Sequence, residues 1–159
     1  RHGLWNYISA HFSMIDKVVG NNYTNEPMAF LLEDSEIQEE IEPYIMARIV
    51  DFEEFIRQYP FDIISIHDDL HFIIDDPIME CNCGDFSLRW DAAGDTILER
   101  GGTRGETVRC DIQTLTAMFY GYKRPTYLKR VERLQANDTA VRILEDIIPI
   151  EQPYFSDYF

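Results

Sequence analysis

Strand-like and helix-like patterns occupy separate stretches in the second half of this chain. Phe86, Leu88 and Trp90 alternate with polar residues, which is the pattern of a strand with one buried face. After position 111, apolar residues instead recur every three or four positions, as they do on one face of an α-helix. Because strands that precede helices, rather than alternating with them, are typical of α+β domains, we predict an α+β fold.

Other short apolar stretches complete the predicted sheet. The glycine-rich segment 101–105 would join the last two strands as a β-hairpin, so we predict a sheet meander. The segment 12–19, near the start of the chain, indicates a strand of an earlier unit. The remaining predicted strands are 44–50, 62–67, 72–74, 96–99 and 107–110.

One predicted helix lies ahead of most of these strands. Asp51 is a typical N-cap residue, and Glu54 follows at the third helical position, so the two residues form a capping box. Pro60 would end this helix, because proline cannot continue the hydrogen-bond ladder.

Three further helices are predicted in the last third of the chain. Asp111 would cap the first, and Asn137 or Asp138 would cap the third. Pro125 would lie in the first turn of the second. The predicted inward residues are Leu115, Met118, Phe119 and Tyr122 in the first, Leu128, Val131 and Leu134 in the second, and Val141, Leu144 and Ile148 in the third.

The chain is strongly acidic, with a formal net charge of −15 over 159 residues and a pI near 4.5. Because nucleic acids and anionic membrane surfaces are polyanions, this charge argues against both as partners. It suits a cationic small molecule or another amine, although a surface that is acidic only for solubility fits as well. No apolar run approaches the roughly 20 residues that a membrane span needs.

The cysteines and histidines do not form a pattern that is typical of disulfides or metal sites. Cys81 and Cys83 are too close for an easy bridge and Cys110 is left over as a buried packing residue, so we expect a reducing, cytoplasmic location. The Cys-x-Cys spacing is shorter than in structural zinc sites. We interpret His67 and His71 as surface-loop residues, and therefore expect no metal.

The two ends of the chain carry further signals. Arg1 is not an initiator methionine and the apolar periodicity has already begun at Leu4, so we expect the sequence to start inside a larger protein. Four of the last six residues are aromatic, which predicts that the C-terminus docks. A docked Phe159 would carry its α-carboxylate into an enclosed place, where it could act as an acid, a base or an anchor. The alternative is a final segment that simply covers the core.

Several segments, taken in order and spacing, resemble the C-terminal portion of the enhanced-intracellular-survival (Eis) family of GNAT N-acetyltransferases. The resemblance extends over nearly the whole chain. It rests on LWNYI at 4–8, KVV at 17–19, PMAFLLED at 27–34, MARIVD at 46–51, DIQTLTAMFYGY at 111–122 and the terminal YF at 158–159.

This resemblance implies a domain organisation and an activity. Residues 1–25 would be the tail of a GNAT-like domain, 26–43 an acidic linker, and 44–159 a sterol-carrier-protein-like domain with a mixed sheet packed against helices. The full-length protein would transfer an acetyl group from acetyl-CoA to an amine small molecule or a lysine side chain, and would be a homo-oligomer. Acetyl-CoA would bind to the N-terminal GNAT domain, so no cofactor-binding residue is expected in this chain.

The resemblance also implies roles for four residues. The free carboxylate of Phe159 would be the general base, and Met46, Asp157 and Tyr158 would contribute to the acceptor pocket. The best-known branch of the family has an acidic residue directly before its terminal Phe and a tryptophan on the strand that carries Met46. This chain departs at both positions, so the resemblance does not extend to aminoglycoside specificity.

A second function remains open at this stage. The sterol-carrier architecture also serves non-catalytic modules, so the chain could be a lipid- or sterol-binding module or an oligomerisation module. A continuous apolar cavity would favour lipid binding. A core filled by its own side chains, including the helical set around Met118 and Phe119, would favour the acetyltransferase role.

Overall fold

The computed structural model describes residues 2–22, 37–42, 45–62, 68–153 and 155 of the 159 residues. The chain divides into two compact units, Arg1–Pro43 and Tyr44–Phe159. In the described part, no helix has the length and apolar character required to cross a lipid bilayer.

The described part of the first unit is helical. Helix α1 spans His2–Ala10 and a 3₁₀ turn spans Phe12–Met14. The prediction of a strand over 12–19 is wrong, because this turn and then irregular backbone occupy those positions. A strand needs a partner to take its backbone hydrogen bonds, and the described residues of this unit form no sheet.

The second unit is built on a five-stranded mixed sheet, which confirms the α+β prediction. The strands are β1 (Leu70–Asp75), β2 (Gly84–Trp90), β3 (Thr96–Arg100), β4 (Glu106–Asp111) and β5 (Gln135–Ala136). Their order across the sheet is β3-β2-β1-β4-β5, with β1 and β4 parallel and the other pairs antiparallel.

The glycine-rich segment 101–105 is a crossover, so the prediction of a hairpin and a meander is wrong. It carries the chain from β3, at one edge, past β2 and β1 to β4. Ser87 in the middle of β2 holds the segment, because its hydroxyl accepts a hydrogen bond from the Arg104 backbone N–H (2.8 Å) and donates one to the Arg104 carbonyl (2.6 Å). At Gly105, where φ is +109°, an added Cβ would come within 2.2 Å of the Asp69 carbonyl oxygen. The crossover therefore lies directly on the sheet.

One face of the sheet forms the core with the helices. Strand side chains alternate between faces, and those on the core face include Phe72, Phe86 and Val108, all fully buried. Helices α2 (Phe52–Gln58), α3 (Ile112–Phe119) and α5 (Asp138–Ile147) contribute most of the remaining core residues, and α4 (Pro125–Arg130) contributes Leu128. The connecting segments add Ile49, Leu134 and Ile148. Edge-to-face aromatic pairs such as Phe52–Phe86, with centroids 5.0 Å apart, fill the space between α2 and the sheet.

The predicted N-caps are confirmed, although the Glu54 carboxylate contacts Arg57 and Gln58 rather than completing the capping box. The Asp51 carboxylate accepts a hydrogen bond from the Glu54 N–H (3.0 Å), and Asp111 caps α3 in the same way through Thr114 (2.7 Å). Of the two candidates for α5, Asn137 is the cap; it accepts from the Ala140 N–H at 2.8 Å. Pro125 lies in the first turn of α4, as predicted.

Two local predictions are wrong, and a third lies mostly outside the described residues. Tyr122 and Val131 are 60% and 42% exposed rather than inward, because α3 and α4 end before those positions. Positions 45–50 form no strand; this segment packs through Ile49, whose N–H donates to the Thr116 hydroxyl at 3.2 Å. Most of the predicted strand 62–67 lies outside the described residues.

Candidate functional site

Three of the four predicted site residues, Phe159, Asp157 and Tyr158, lie outside the described part of the chain. Met46 is described, and its side chain is fully exposed on the segment before α2. The structure therefore gives no distance between Met46 and the other three. It does define two features that are close to them in the sequence, namely the anchor of the Met46 segment and the exit of the chain from α5.

The Met46 segment is anchored by a buried carboxylate. Arg48, two residues after Met46, donates to Asp76 with its guanidinium at 2.5 Å. The Asp76 side chain is completely buried, and it also accepts from the backbone N–H groups of Ile78 (3.0 Å) and Met79 (3.1 Å).

Asn82 links this carboxylate to helix α2. Its amide N–H donates to Asp76 at 2.8 Å, and its carbonyl accepts from the Phe52 N–H at 2.9 Å. Burial alone would raise the pKa of Asp76, but the hydrogen bonds outweigh it and hold the pKa of this carboxyl well below its usual range. Asp76, ionised at neutral pH, thus fixes the position from which Met46 projects.

The exit of the chain from α5 is held by one arginine. Arg124 directly precedes α4, and its Nε and Nη2 groups both contact the Glu145 carboxylate, at 2.7 and 2.6 Å. Nη2 also donates to the Glu145 carbonyl (2.7 Å), and Nη1 donates to the carbonyls of Ile148 (2.9 Å) and Pro149 (3.1 Å). A guanidinium has five N–H donors, so within the described residues its whole donor capacity is directed at this exit.

Gly121 contacts the same exit at Glu151, two residues beyond Pro149. Gly121 has φ +72°, and an added Cβ would lie 1.9 Å from the Glu151 carbonyl oxygen. Backbone therefore packs directly on backbone at this point, which only glycine permits.

Glu145 completes the contact around Arg124. Its second carboxylate oxygen accepts from the Thr126 N–H at 2.8 Å, at the start of α4. Burial would raise the pKa of Glu145, but the hydrogen bonds from Thr126 and Arg124 lower it below its ordinary value. Sequence reasoning missed both Arg124 and Glu145, since 21 residues separate them and neither belongs to a motif. Gly121 at the end of α3 had a local signal, because glycine commonly follows a helix.

The interpretation of His71 as a surface-loop residue is wrong. His71 lies in β1 and is buried on the sheet face opposite the core, where Nε2 contacts Asp85 at 2.7 Å and Nδ1 lies 3.5 Å from the Thr107 hydroxyl. His67 is outside the described residues. Among the described residues, no group of three or more His, Cys, Asp or Glu side chains could hold a metal ion.

The prediction that Cys110 is a buried packing residue is confirmed. Cys110 is buried on the core face of β4, and burial raises the pKa of its thiol far above the ordinary value, with a further contribution from Asp111. Cys81 is exposed. The Cys83 sulfur both accepts from the Asp76 N–H and donates to its carbonyl, each at 3.2 Å.

The core around α2 and α3 is filled by aromatic side chains. Tyr59, Phe61 and Phe119 pack edge to face, with centroids 4.7 to 6.2 Å apart, and Phe55 joins them. The Tyr59 hydroxyl donates to the Phe119 carbonyl at 2.8 Å, and burial raises the pKa of Tyr59 to about 12.

A groove of about 500 Å³ in the same unit has a different character. It opens beside β1 and β4, and charged residues such as Asp75, Arg109 and Arg133 line it. An open, charged groove is not the apolar cavity that a sterol or acyl chain requires.

Comparison with known protein families decides the class of the second unit. Residues 52–156 match the family model described as a sterol carrier protein domain, and this match covers more than half of the chain. The chain belongs to the sterol carrier protein domain family. Residues 1–49 of this sterol carrier domain protein match the acetyltransferase (GNAT) domain model.

Solved structures place the same combination in longer proteins. A probable N-acyltransferase from Enterococcus faecalis is 28% identical, with a TM-score of 0.75, and the match covers 98% of this chain and 39% of that one. A GCN5-related N-acetyltransferase from Anabaena variabilis is 26% identical, with a TM-score of 0.67, covering 94% of this chain and 38% of that one. No curated protein sequence matches the chain significantly.

A third structure shows the same fold at lower identity. Eis1 from Mycobacterium abscessus is 18% identical, with a TM-score of 0.69, and the match covers 98% of this chain and 40% of that one. The chain thus spans about two fifths of the length of these three proteins. The two family matches and the similar structures from Enterococcus faecalis and Anabaena variabilis show that this chain is related to N-acetyltransferases of the GNAT type.

Proposed function

We propose that this chain is the C-terminal part of an Eis-like, acetyl-CoA-dependent N-acetyltransferase. The observation that carries the proposal is the order of the two family matches, a GNAT segment followed directly by a sterol carrier domain. Two N-acyl- or N-acetyltransferases with 26–28% identity contain this combination over 94–98% of the chain. The sterol carrier domain would supply the general base and part of the acceptor pocket.

The proposed base is the terminal carboxylate of Phe159. An amine must lose a proton before it attacks a thioester, and a base within hydrogen-bond reach can take that proton. A free α-carboxylate has a pKa of only about 3.5, so it becomes a useful base only where burial raises that pKa. The aromatic residues Tyr154, Phe155 and Tyr158 would provide the apolar surface for such burial. Met46, Asp157 and Tyr158 would line the pocket that receives the amine.

The proposed acceptor is an amine small molecule or a lysine side chain. The net charge of −15 would attract such a cation. Acetyl-CoA would bind to the preceding GNAT domain of the same protein. The glycine-rich segment 101–105 does not have the geometry of a phosphate-binding loop, because it lies against Ser87 and Asp69 and leads into a strand, not into a helix N-terminus. We further propose that the full-length protein is a homo-oligomer.

The alternative is a non-catalytic lipid- or sterol-binding module, which the sterol carrier family match itself favours. The filled aromatic core and the charged character of the groove oppose it. An oligomerisation module remains compatible with the same fold.

Two measurements separate these functions. The full-length protein should acetylate amines with acetyl-CoA, whereas this chain alone should show neither acetylation nor binding of acetyl-CoA by calorimetry. Native mass spectrometry of this chain should show no retained lipid. A full-length protein without acetyl-transfer activity, together with a lipid that stays bound to this chain, would replace the proposal with the lipid-binding function.

A further inference from the structure

We propose that Arg124 and Gly121 position the C-terminal segment, so that the terminal carboxylate reaches the acetylation site. This inference rests on the proposed function, because it concerns how the proposed base is placed. Both residues lie in the connection between α3 and α4, and both approach the chain just after α5. They would be positioning residues, since neither is proposed to touch the substrate.

Ordinary helix capping explains only part of these contacts. The last carbonyls of a helix lack partners, and an arginine near the C-terminus often binds them. The contacts of Arg124 with the carbonyls of Glu145 and Ile148 are of this kind. The Pro149 carbonyl and Glu151 lie beyond α5, so the bond to the first and the close approach of Gly121 to the second define the direction in which the chain leaves.

The Glu145 carboxylate makes this direction rigid. Its Oε2 atom contacts both Nε and Nη2 of the guanidinium, so two neighbouring nitrogens of the planar group converge on one oxygen. The carboxylate also accepts from the Thr126 N–H, so α4 and α5 hold Arg124 from both sides. Lysine could keep the charge but has neither the plane nor the fork needed to reach all of these acceptors.

The short length of chain between the exit and the Phe159 carboxylate explains why the exit would affect the position of the carboxylate. The residues 152–159 can span at most about 28 Å, at about 3.5 Å each. A slip of one residue at the exit would move the carboxylate by roughly 3.3 Å along an extended chain. A misplacement of about 1 Å can already cost on the order of 100-fold in rate. A fixed exit would therefore be a condition for a carboxylate at the chain end to act as a base.

The competing explanation is that the terminal aromatic residues place the carboxylate by themselves. In that case the exit from α5 would be irrelevant to the rate. The two explanations differ in the effect of Arg124→Lys on turnover. A matched control is Arg133→Lys, because Arg133 also links two elements, through Asp111 (2.9 Å) and Thr114 (3.3 Å), but does not contact the exit.

The experiment uses the full-length protein with acetyl-CoA and an amine acceptor. We expect Arg124→Lys to lower kcat about 10- to 100-fold, with the KM for acetyl-CoA unchanged, whereas Arg133→Lys should leave kcat within about twofold. The decisive variant combines Arg124→Lys with deletion of Phe159. If Arg124 acts through the carboxylate, the double variant should be no slower than the deletion alone.

The outcomes separate the two levels of the proposal. If deletion of Phe159 lowers kcat but Arg124→Lys does not, or adds its full effect in the deleted background, the inference is wrong and the proposed base stands. If deletion of Phe159 leaves kcat unchanged, the proposed base is wrong and the inference falls with it. Should Arg124→Lys fail to fold, Gly121→Ala perturbs the same exit, and the same comparison in the deleted background decides.

Discussion

The backbone at Gly121 lies against the backbone at Glu151, so that a Cβ on the first residue would come 1.9 Å from the carbonyl oxygen of the second. This contact joins the end of α3 to the segment that follows α5. Together with Arg124, it fixes the backbone that directly follows α5, at Pro149 and Glu151.

Gly121→Ala should therefore destabilise the domain more than strain in the backbone alone would. Gly94→Ala is a matched control, because Gly94 also has a positive φ (+89°) but no atom lies within 4 Å of its added Cβ. We expect a loss of roughly 1 kcal/mol in the free energy of unfolding for Gly94→Ala, and about 2–3 kcal/mol for Gly121→Ala. Urea unfolding at pH 7 measures both. Equal losses would show that the segment at Glu151 moves aside without cost.

Asp76→Asn should remove a large part of the stability at neutral pH. The substitution leaves Arg48 without its counter-charge, and it places an amide NH₂ group where the carboxylate accepted backbone N–H groups. Breaking a buried pair in this way lowers the free energy of unfolding by about 3 kcal/mol. Asp138→Asn is the control, because that carboxylate pairs with Lys129 at the surface and should contribute far less. Similar midpoints in urea for the two variants would contradict the assigned role of Asp76.

The same carboxylate should make the domain sensitive to acid. The pKa of Asp76 is lower in the folded state than the ordinary value of about 3.9, so protons bind more tightly to the unfolded chain. Its contribution to stability should be complete above about pH 5 and should be lost as the pH falls below 4 toward the folded pKa. Between pH 7 and pH 3, the free energy of unfolding should fall less steeply for Asp76→Asn than for the unaltered chain. Parallel curves would contradict this.

As the proposed general base, the carboxylate of Phe159 should matter more than the Phe159 ring for acetylation by the full-length protein. Deleting Phe159 or extending the chain with a short C-terminal tag should lower kcat by roughly 100- to 10,000-fold, the usual contribution of a general base. Phe159→Leu keeps a terminal carboxylate and most of the apolar surface, so it should cost far less. A tagged enzyme with full activity would show that the carboxylate is not the base.

The cysteines should differ sharply in reactivity. Cys81 is exposed and should react with an aromatic disulfide reagent in the folded chain, whereas burial and the raised pKa of Cys110 should leave that thiol unmodified. Mass spectrometry after a short exposure identifies the modified residue, and Cys81→Ser serves as the control. Modification of Cys110 under native conditions would mean that the core opens readily.

Capping and periodicity are local, and they were sufficient for most helices. Asp51, Asp111 and Asn137 bond to backbone groups three residues away, so the information for each helix start lies within one turn of sequence. The alternation around Phe86 and Leu88 likewise predicts β2, because a strand with one buried face must alternate.

The choice of partners between distant segments was not predictable in this way. The glycines of 101–105 indicate a turn, but only the pairing of β1 with β4 decides that the turn becomes a crossover and buries Ser87. The strand predicted at 44–50 fails for the same reason, since the Asp76 carboxylate and the Thr116 hydroxyl hold that segment in place of a neighbouring strand.

The sequence alone determined the α+β class, the helix starts and the resemblance to the N-acetyltransferase family, because each depends on neighbouring residues or on the order of short segments. Only the tertiary structure decided the strand order, the anchor of the Met46 segment and the exit of the chain from α5. Arg124 binds acceptors 21 to 25 residues later, and hydrogen bonds over such separations form only after the helices have packed together.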